Sequence, residues 1–274
     1  MRNHAVSSRV HGNAAGLAPY FDMSMVHTIS DLSRWPELRS DFARLSDSAW
    51  PAFLRNWETP EWPSLFTTFA DYQLALRDAA GKVVAVCHTI PMRWNGTKAG
   101  LPASLSRATG SAAMVFQPGL PPNTLCALAA IAEPDHRGQG LGAALVRAMG
   151  MLAAERGFEN LIAPVRPNWK SQYPLIPLEK YVEWKRPDGT SYDPWLRVHL
   201  RAGGKALAIG HALAVEGRVA DWEQWTGMVF PVPGHYVVPG ALQPLVIDSA
   251  RDKGLYEEKC VWVVHNVGNN GRDQ

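Results

Sequence analysis

The stretch Ala130-Ile131-Ala132-Glu133-Pro134-Asp135-His136-Arg137-Gly138-Gln139-Gly140-Leu141-Gly142-Ala143 carries the reading of the whole chain. Upstream, residues 124–132 (TLCALAAIA) form an apolar run of strand length. Downstream, Leu141, Leu145, Ala148, Met149 and Leu152 recur at spacings of three and four, which predicts a helix over 141–156, and Gly157 supplies its stop. Residues 161–165 are the next short apolar run. The unit 124–165 is therefore expected to be strand, turn, helix, strand, with the two strands parallel.

Three glycines, at 138, 140 and 142, fall where the strand hands over to the helix. Such a turn leaves amide N–H groups unpaired at a helix N-terminus, where the helix dipole adds partial positive charge. Without side chains in the way, an anion can approach closely. Residue patterning alone leaves open a glycine-rich helix start without a ligand, a dinucleotide site or another phosphate site. Gly138, Gly140 and Ala143 formally satisfy G-x-G-x-x-A, but that fingerprint needs its first glycine directly after the strand. Here residues 133–137 intervene and Pro134 breaks the strand. The loop G-x-x-x-x-G-K-[ST] is absent.

Outward from this unit, the chain alternates between clear and obscure. Residues 1–24 are small and polar without periodicity, and read as a flexible tail. Leu32, Trp35, Leu38, Phe42 and Leu45 place a helix within 29–56, capped by Ser30 or Asp31 with Pro36 in its first turn. Residues 57–65 are a proline-punctuated loop, and 72–78 with 83–90 make a hairpin around Ala79-Ala80-Gly81-Lys82. A short helix is expected near 104–116. Beyond 166, an insertion at 170–194 is rich in Pro, Trp and Tyr. It is followed by expected helices at 194–202 and 219–225 and strands at 205–215, 235–248 and 256–265, the last two joined by a turn at 251–254. No repeat or composition shift divides the chain, so 25–268 reads as one domain.

Composition narrows the function. Twenty-seven Lys+Arg against 25 Asp+Glu leave a net charge of +2, which is no footprint for nucleic acid. No apolar run reaches the roughly 18–20 residues of a membrane helix, and the first residues lack the pattern of a signal peptide. Cys87, Cys126 and Cys260 are odd in number and far apart. A disulfide framework and a cysteine zinc site are not expected, no metal is called for, and a reducing, cytoplasmic location is. G-x-S-x-G and H-E-x-x-H motifs are missing.

The string IAEPDHRGQGLGAALV (131–146) resembles the acyl-CoA-binding motif of the GNAT superfamily of N-acyltransferases, whose pattern [RQ]-x-x-G-x-[GA] is met by Arg137 through Gly142. The close match covers 124–166, and the looser order of elements extends over about 28–265. The resemblance implies an α/β fold with a mixed central sheet flanked by helices, an enlarged acceptor-side insertion and C-terminal strands. It implies acetyl-CoA or another acyl-CoA as co-substrate. The cradle would be Arg137, Gly138, Gln139, Gly140, Leu141, Gly142 and Ala143 at the pyrophosphate, with the backbone of Ala130, Ile131 and Ala132 along the pantetheine and Asn168 touching the cofactor. In such folds the first strand of the unit splays from the second and the thioester sits in the gap. The activity implied is direct transfer of an acyl group to a primary amine. A CoA-binding module without transferase activity is the alternative. The acceptor is expected to be a small molecule, with a protein or peptide amine also open, and oligomeric state is unread.

Acyl transfer to an amine needs a proton removed from the amine and one supplied to the thiolate. Family members often place a glutamate on the second strand, where this chain has Ala163 and Pro164, and a tyrosine before a Gly-Phe pair, which 198–204 resembles with His199 in the tyrosine's place and Gly204 for Phe. Three residues are therefore the candidates for proton transfer. His199 has a pKa naturally near neutral. Tyr173 follows Asn168 in the same loop, and Glu133 adjoins the acyl site. Cys126 reads as core. The many aromatics of the insertion and C-terminal strands read first as packing, or else as an acceptor pocket for a flat or cationic molecule.

Overall fold

The structure, a computed structural model, describes residues 27–55, 60–112, 121–136 and 138–268. The expected tail at 1–24, Arg137, residues 57–59 of the first loop and the end of the 104–116 helix lie outside them.

The chain opens with β1 (Thr28–Asp31), α1 (Arg39–Ala49) and α2 (Ala52–Arg55). The single helix expected over 29–56 is thus divided. Pro36 has no N–H and disfavours helical backbone at Trp35, which sits at φ −133° and ψ 65°, so only a 3-10 turn (Pro36–Leu38) leads into α1. Asp31 caps that bend instead, accepting from the Arg34 amide at 3.0 Å.

The expected hairpin is β2 (Leu74–Arg77) and β3 (Val83–Met92), followed by α3 (Leu105–Ala112). The decisive unit is β4 (Thr124–Ala132), α4 (Leu141–Glu155) and β5 (Asn160–Val165). Gly157, at φ 71°, ends the helix. Then come α5 (Leu178–Tyr181), α6 (Pro194–Arg201), β6 (Lys205–Gly217) and α7 (Val219–Thr226). The one long strand expected over 235–248 is two, β7 (Gly234–Tyr236) and β8 (Leu245–Asp248). Pro239, Pro244 and the left-handed Gly240 between them cannot continue a ladder. The last strand is β9 (Lys253–Asn266).

Among the described residues one sheet runs β1-β2-β3-β4-β5-β9-β8-β7, with β6 on β9. Only β4 and β5 are parallel. β9 holds the far half together: β6 pairs along its length, while β5 takes 261–266 and β8 takes 253–255 on the opposite edge.

Each face of the sheet has its own core. On one face, Leu145, Val146, Met149 and Leu152 of α4 pack on Leu74, Cys87, Leu125 and Leu161. The 170–194 insertion belongs to this same face, through Leu178 and Tyr181. On the other, Phe42 and Leu45 of α1 cover Val86 and Ile131. Phe53 of α2 meets Trp222 of α7 at 5.6 Å between ring centroids. Residues of 218–252, among them Trp222, Phe230 and Leu245, pack into the core that also holds Phe53 of α2. No helix among the described residues is long and apolar enough to cross a membrane, and the three cysteines are buried free thiols.

Candidate active site

β4 parts from β5 after three residue pairs. Thr124, Leu125 and Cys126 face Asn160, Leu161 and Ile162, and pairing ends there. β5 stays on β9 as far as Val165 opposite Val261, while β4 stays on β3 as far as Ala132 opposite Ala85. The edge of Ala127–Ala132 facing β5 therefore has no strand partner, and its backbone groups need one. On the β3 side the register shifts: His88 faces Ala129 and Thr89 faces Ala127. Leu128 is the extra residue of a β-bulge, a device that redirects side chains next to sites.

The glycine turn lies at the far end of this edge. Gly138 and Gly140 adopt φ 82° and 80°, where an L side chain is strained, and no atom lies within 4 Å of where a Cβ would stand. Gly140 caps α4 without any side-chain hydrogen bond, and the first turn of the helix carries no acid. The amides of the 15-residue α4 thus start in open space. Gly142 differs, because a Cβ there would come within 3.0 Å of the Trp195 ring, so this glycine seats α6 on α4. Gln139 donates its amide to His136 at a long 3.4 Å. Asn168 is exposed just past β5. Free strand edge and bare amides are the two features a pyrophosphate-bearing thioester with an amide-containing arm would use, so the residues fit acyl-CoA.

The three candidates for proton transfer are placed otherwise. His199 is buried on α6, its Nδ1 3.0 Å from Nε2 of His265 and its ring 4.4 Å from that of Trp195. Burial, then the neighbouring His265, pulls its pKa down to about 3. The buried imidazole pair ties α6 to the end of β9. Tyr173 hydrogen-bonds Tyr192 at 2.9 Å between hydroxyls, within an aromatic knot that includes Trp184 at 4.9 Å. Glu133 is gripped by Arg44 at 2.9 and 3.0 Å, with Lys82 at 3.7 Å. The Arg44 hydrogen bond is the main reason its pKa is lowered. That makes the carboxylate a poorer base and an anchor for α1.

Sequence reasoning missed the cavity on the opposite face of the bulge. It has a volume of about 290 Å³ and is lined by Phe42, Trp50, Trp62 and Phe66, with Leu128 and Ala129 at one wall and His88 beside them. Arg39, Asp47 and Arg55 are its charged groups. Burial holds the pKa of His88 down to about 4.

These depressed histidines make a pH prediction. A group whose folded pKa lies below its unfolded one contributes stability that is full above the unfolded value, near 6.5, and is lost as the pH falls. Between pH 7 and 5, His88 and His199 should each remove about 2 kcal/mol from the unfolding free energy. Urea titrations at the two pH values measure this. Equal stabilities would show that these rings are charged in the fold.

No protein-family model matches the chain. Arginine N-acetyltransferase avaD of Aspergillus versicolor is 32% identical over 257 aligned positions, covering 80% of this chain and 86% of that one. Among solved structures, the loading GNATL domain of CurA from Lyngbya majuscula superposes with a TM-score of 0.56 at 18% identity, over 88% of this chain and 98% of that one. The GphF GNAT-like decarboxylase in complex with isobutyryl-CoA gives 0.54 at 20%, over 88% and 100%. At such identities the likeness of the two structures is one of fold. The curated relative carries more: across most of both chains it shares about a third of the residues, and together with the shared fold this shows that the chain belongs to the GNAT superfamily of acyl-CoA-dependent N-acyltransferases.

Proposed function

We propose that the protein acylates a small cationic amine, arginine or a close relative of it, held in the cavity under α1. The observation that carries this is the make-up of that cavity: aromatic walls of Phe42, Trp50, Trp62 and Phe66, with a carboxylate, Asp47, that makes no hydrogen bond or ion pair to another described residue. Aromatic faces and the one carboxylate on the wall favour a cationic group, and the two guanidinium groups, Arg39 and Arg55, favour a carboxylate on the same molecule. Arg39, stacked over Phe66 at 4.9 Å, offers a counter-charge for a carboxylate on the same substrate. The arginine acceptor of the Aspergillus relative agrees with a substrate of this charge pattern.

On the other side of the bulge, the amides of Gly138, Gln139, Gly140, Leu141, Gly142 and Ala143 would hold the pyrophosphate of acyl-CoA, with Arg137 beside them. The free edge at Ala130, Ile131 and Ala132 would pair with the pantetheine, and Asn168 would reach the cofactor from beyond β5. Acceptor and thioester then meet at Leu128 and Ala129, where positioning supplies most of the rate.

The test is release of CoA from acetyl-CoA with a panel of amines. Arginine and other cationic amines should be preferred over neutral amines of equal size. Asp47→Asn should raise the KM for them about tenfold, the worth of one exposed charge contact, with the KM for acetyl-CoA unchanged. A preference for peptide or protein amines would overturn the acceptor assignment, and no release with any amine would leave a CoA-binding module.

A further inference from the structure

The bulge at Leu128 brings Leu128 and Ala129 together at the cavity wall, and His88 lies directly across the ladder from Ala129. The tautomer of that histidine is fixed by a residue 15 positions earlier. Gln73 is fully buried, and its side-chain amide nitrogen donates to Phe69 O and to Thr89 O, both at 2.8 Å. Two carbonyl partners leave the amide only one orientation. Its oxygen therefore faces the other way, accepting from the Thr89 amide at 3.3 Å and standing 3.1 Å from Nδ1 of His88. An amide oxygen cannot donate, so Nδ1 carries the ring proton and Nε2 keeps its lone pair. Nε2 has no hydrogen-bond partner among the described residues, although the ring is boxed by Phe42, Trp62 and Phe66 at centroid distances of 5.2, 5.3 and 5.6 Å. A lone pair held without a protein partner, in a residue that lines a cavity beside the strand bulge, is poised to take a proton from whatever occupies that cavity.

We propose that Nε2 of His88 is the general base of the acyl transfer, an inference that rests on the acceptor occupying the cavity. The amine nitrogen's lone pair forms the new N–C bond to the thioester carbonyl carbon. The surplus N–H proton passes to Nε2, the C–S bond breaks with its electron pair going to sulfur, and the thiolate takes a proton from water. His88, briefly imidazolium with its Nδ1–H still bonded to Gln73, returns its proton to water and is reset. Burial among three aromatic rings keeps the resting imidazole neutral through the neutral pH range. The charged groups facing the cavity are Arg39 and Asp47 on α1 and Arg55 on α2. The ring is a weak base at rest, which suffices because the attacking nitrogen becomes far more acidic as its bond to carbon forms.

Nitrogen-15 NMR of histidine-labelled wild-type protein reads the tautomer directly. The Nδ1–H form is expected for His88, with saturating acceptor moving the Nε2 resonance and leaving Nδ1 in place. His88→Gln should lower kcat by 10²–10⁴, the usual range for a positioned base, while CoA still stabilises the fold as in wild type. An Nε2–H tautomer, an Nε2 resonance indifferent to acceptor, or a His88→Gln enzyme within fivefold of wild type would overturn the proposal. Ser46→Trp, which adds bulk to the lining of the cavity, separates the two readings. If it leaves the KM for the acceptor unchanged, the cavity is not the acceptor site. If it raises that KM while His88→Gln stays active, the cavity stands and only the base is wrong.

Discussion

Gly140→Asp is expected to abolish the stabilisation that CoA confers while leaving the unliganded protein folded. At φ 80° aspartate is among the better-tolerated side chains, and no neighbouring atom obstructs its Cβ. At the N-cap of α4 it would set its carboxylate beside the first-turn amides. Those are the donors proposed for the pyrophosphate, so the substitution sets a like charge against the ligand. At a hundred times its Kd, CoA should stabilise the wild type by about 2.7 kcal/mol, a rise in Tm of roughly 5–10 °C for a chain of this size. The variant should show none of it, and NAD should shift neither protein. Gly142→Ala is a poor substitute for this experiment, because its methyl group would press on Trp195 and loosen α6 whether or not CoA binds there. A Gly140→Asp protein that still responds to CoA like wild type would remove the helix start from the binding site.

The parts of the molecule that were legible in the sequence are those specified locally. β4 spans the residues that the apolar run predicts, and α4 ends one residue short of the periodic segment. Both follow from hydrophobic period and a glycine stop within one stretch of chain. β1 was not legible, since four residues, two of them exposed, become a strand only by pairing with Leu74–Arg77. The same limit hid the chemistry. His88 sits in an unbroken apolar run and looks like any core histidine until Gln73 is seen to hold one nitrogen and leave the other. The surroundings of His199 were hidden in the same way, because its partner, His265, lies 66 residues away. Glu133 likewise looked available until Arg44, 89 residues earlier, closed on it. In each case the deciding neighbour is distant in sequence, so no local pattern encodes it.

One signal was local and went unread. Asp193 stands directly before Pro194, the arrangement of an N-cap followed by proline in the first helical position. In the structure it does more than cap α6. One carboxylate oxygen accepts from the amides of Trp195 and Leu196, each at 3.0 Å. The other accepts from the Trp169 amide and the Tyr181 hydroxyl, each at 2.9 Å. Four donors, from before, within and after the 170–194 insertion, thus converge on a side chain only 1% exposed. Asp193→Ala should cost about 3–5 kcal/mol, as expected when a buried charge with several donors is removed and leaves them unpaired. That corresponds to a fall in Tm of about 6–20 °C for a chain of this length. Asp193→Asn should recover part of the loss, because its single amide oxygen can still cap α6 but cannot serve all four donors. Since α6 lies on α4 through Trp195 and Gly142, the Ala variant should also weaken CoA binding without contact with it. Thermal unfolding with and without CoA measures both effects. If Asp193→Ala melts within 2 °C of wild type, the insertion is held by its aromatic packing, and the carboxylate merely decorates it.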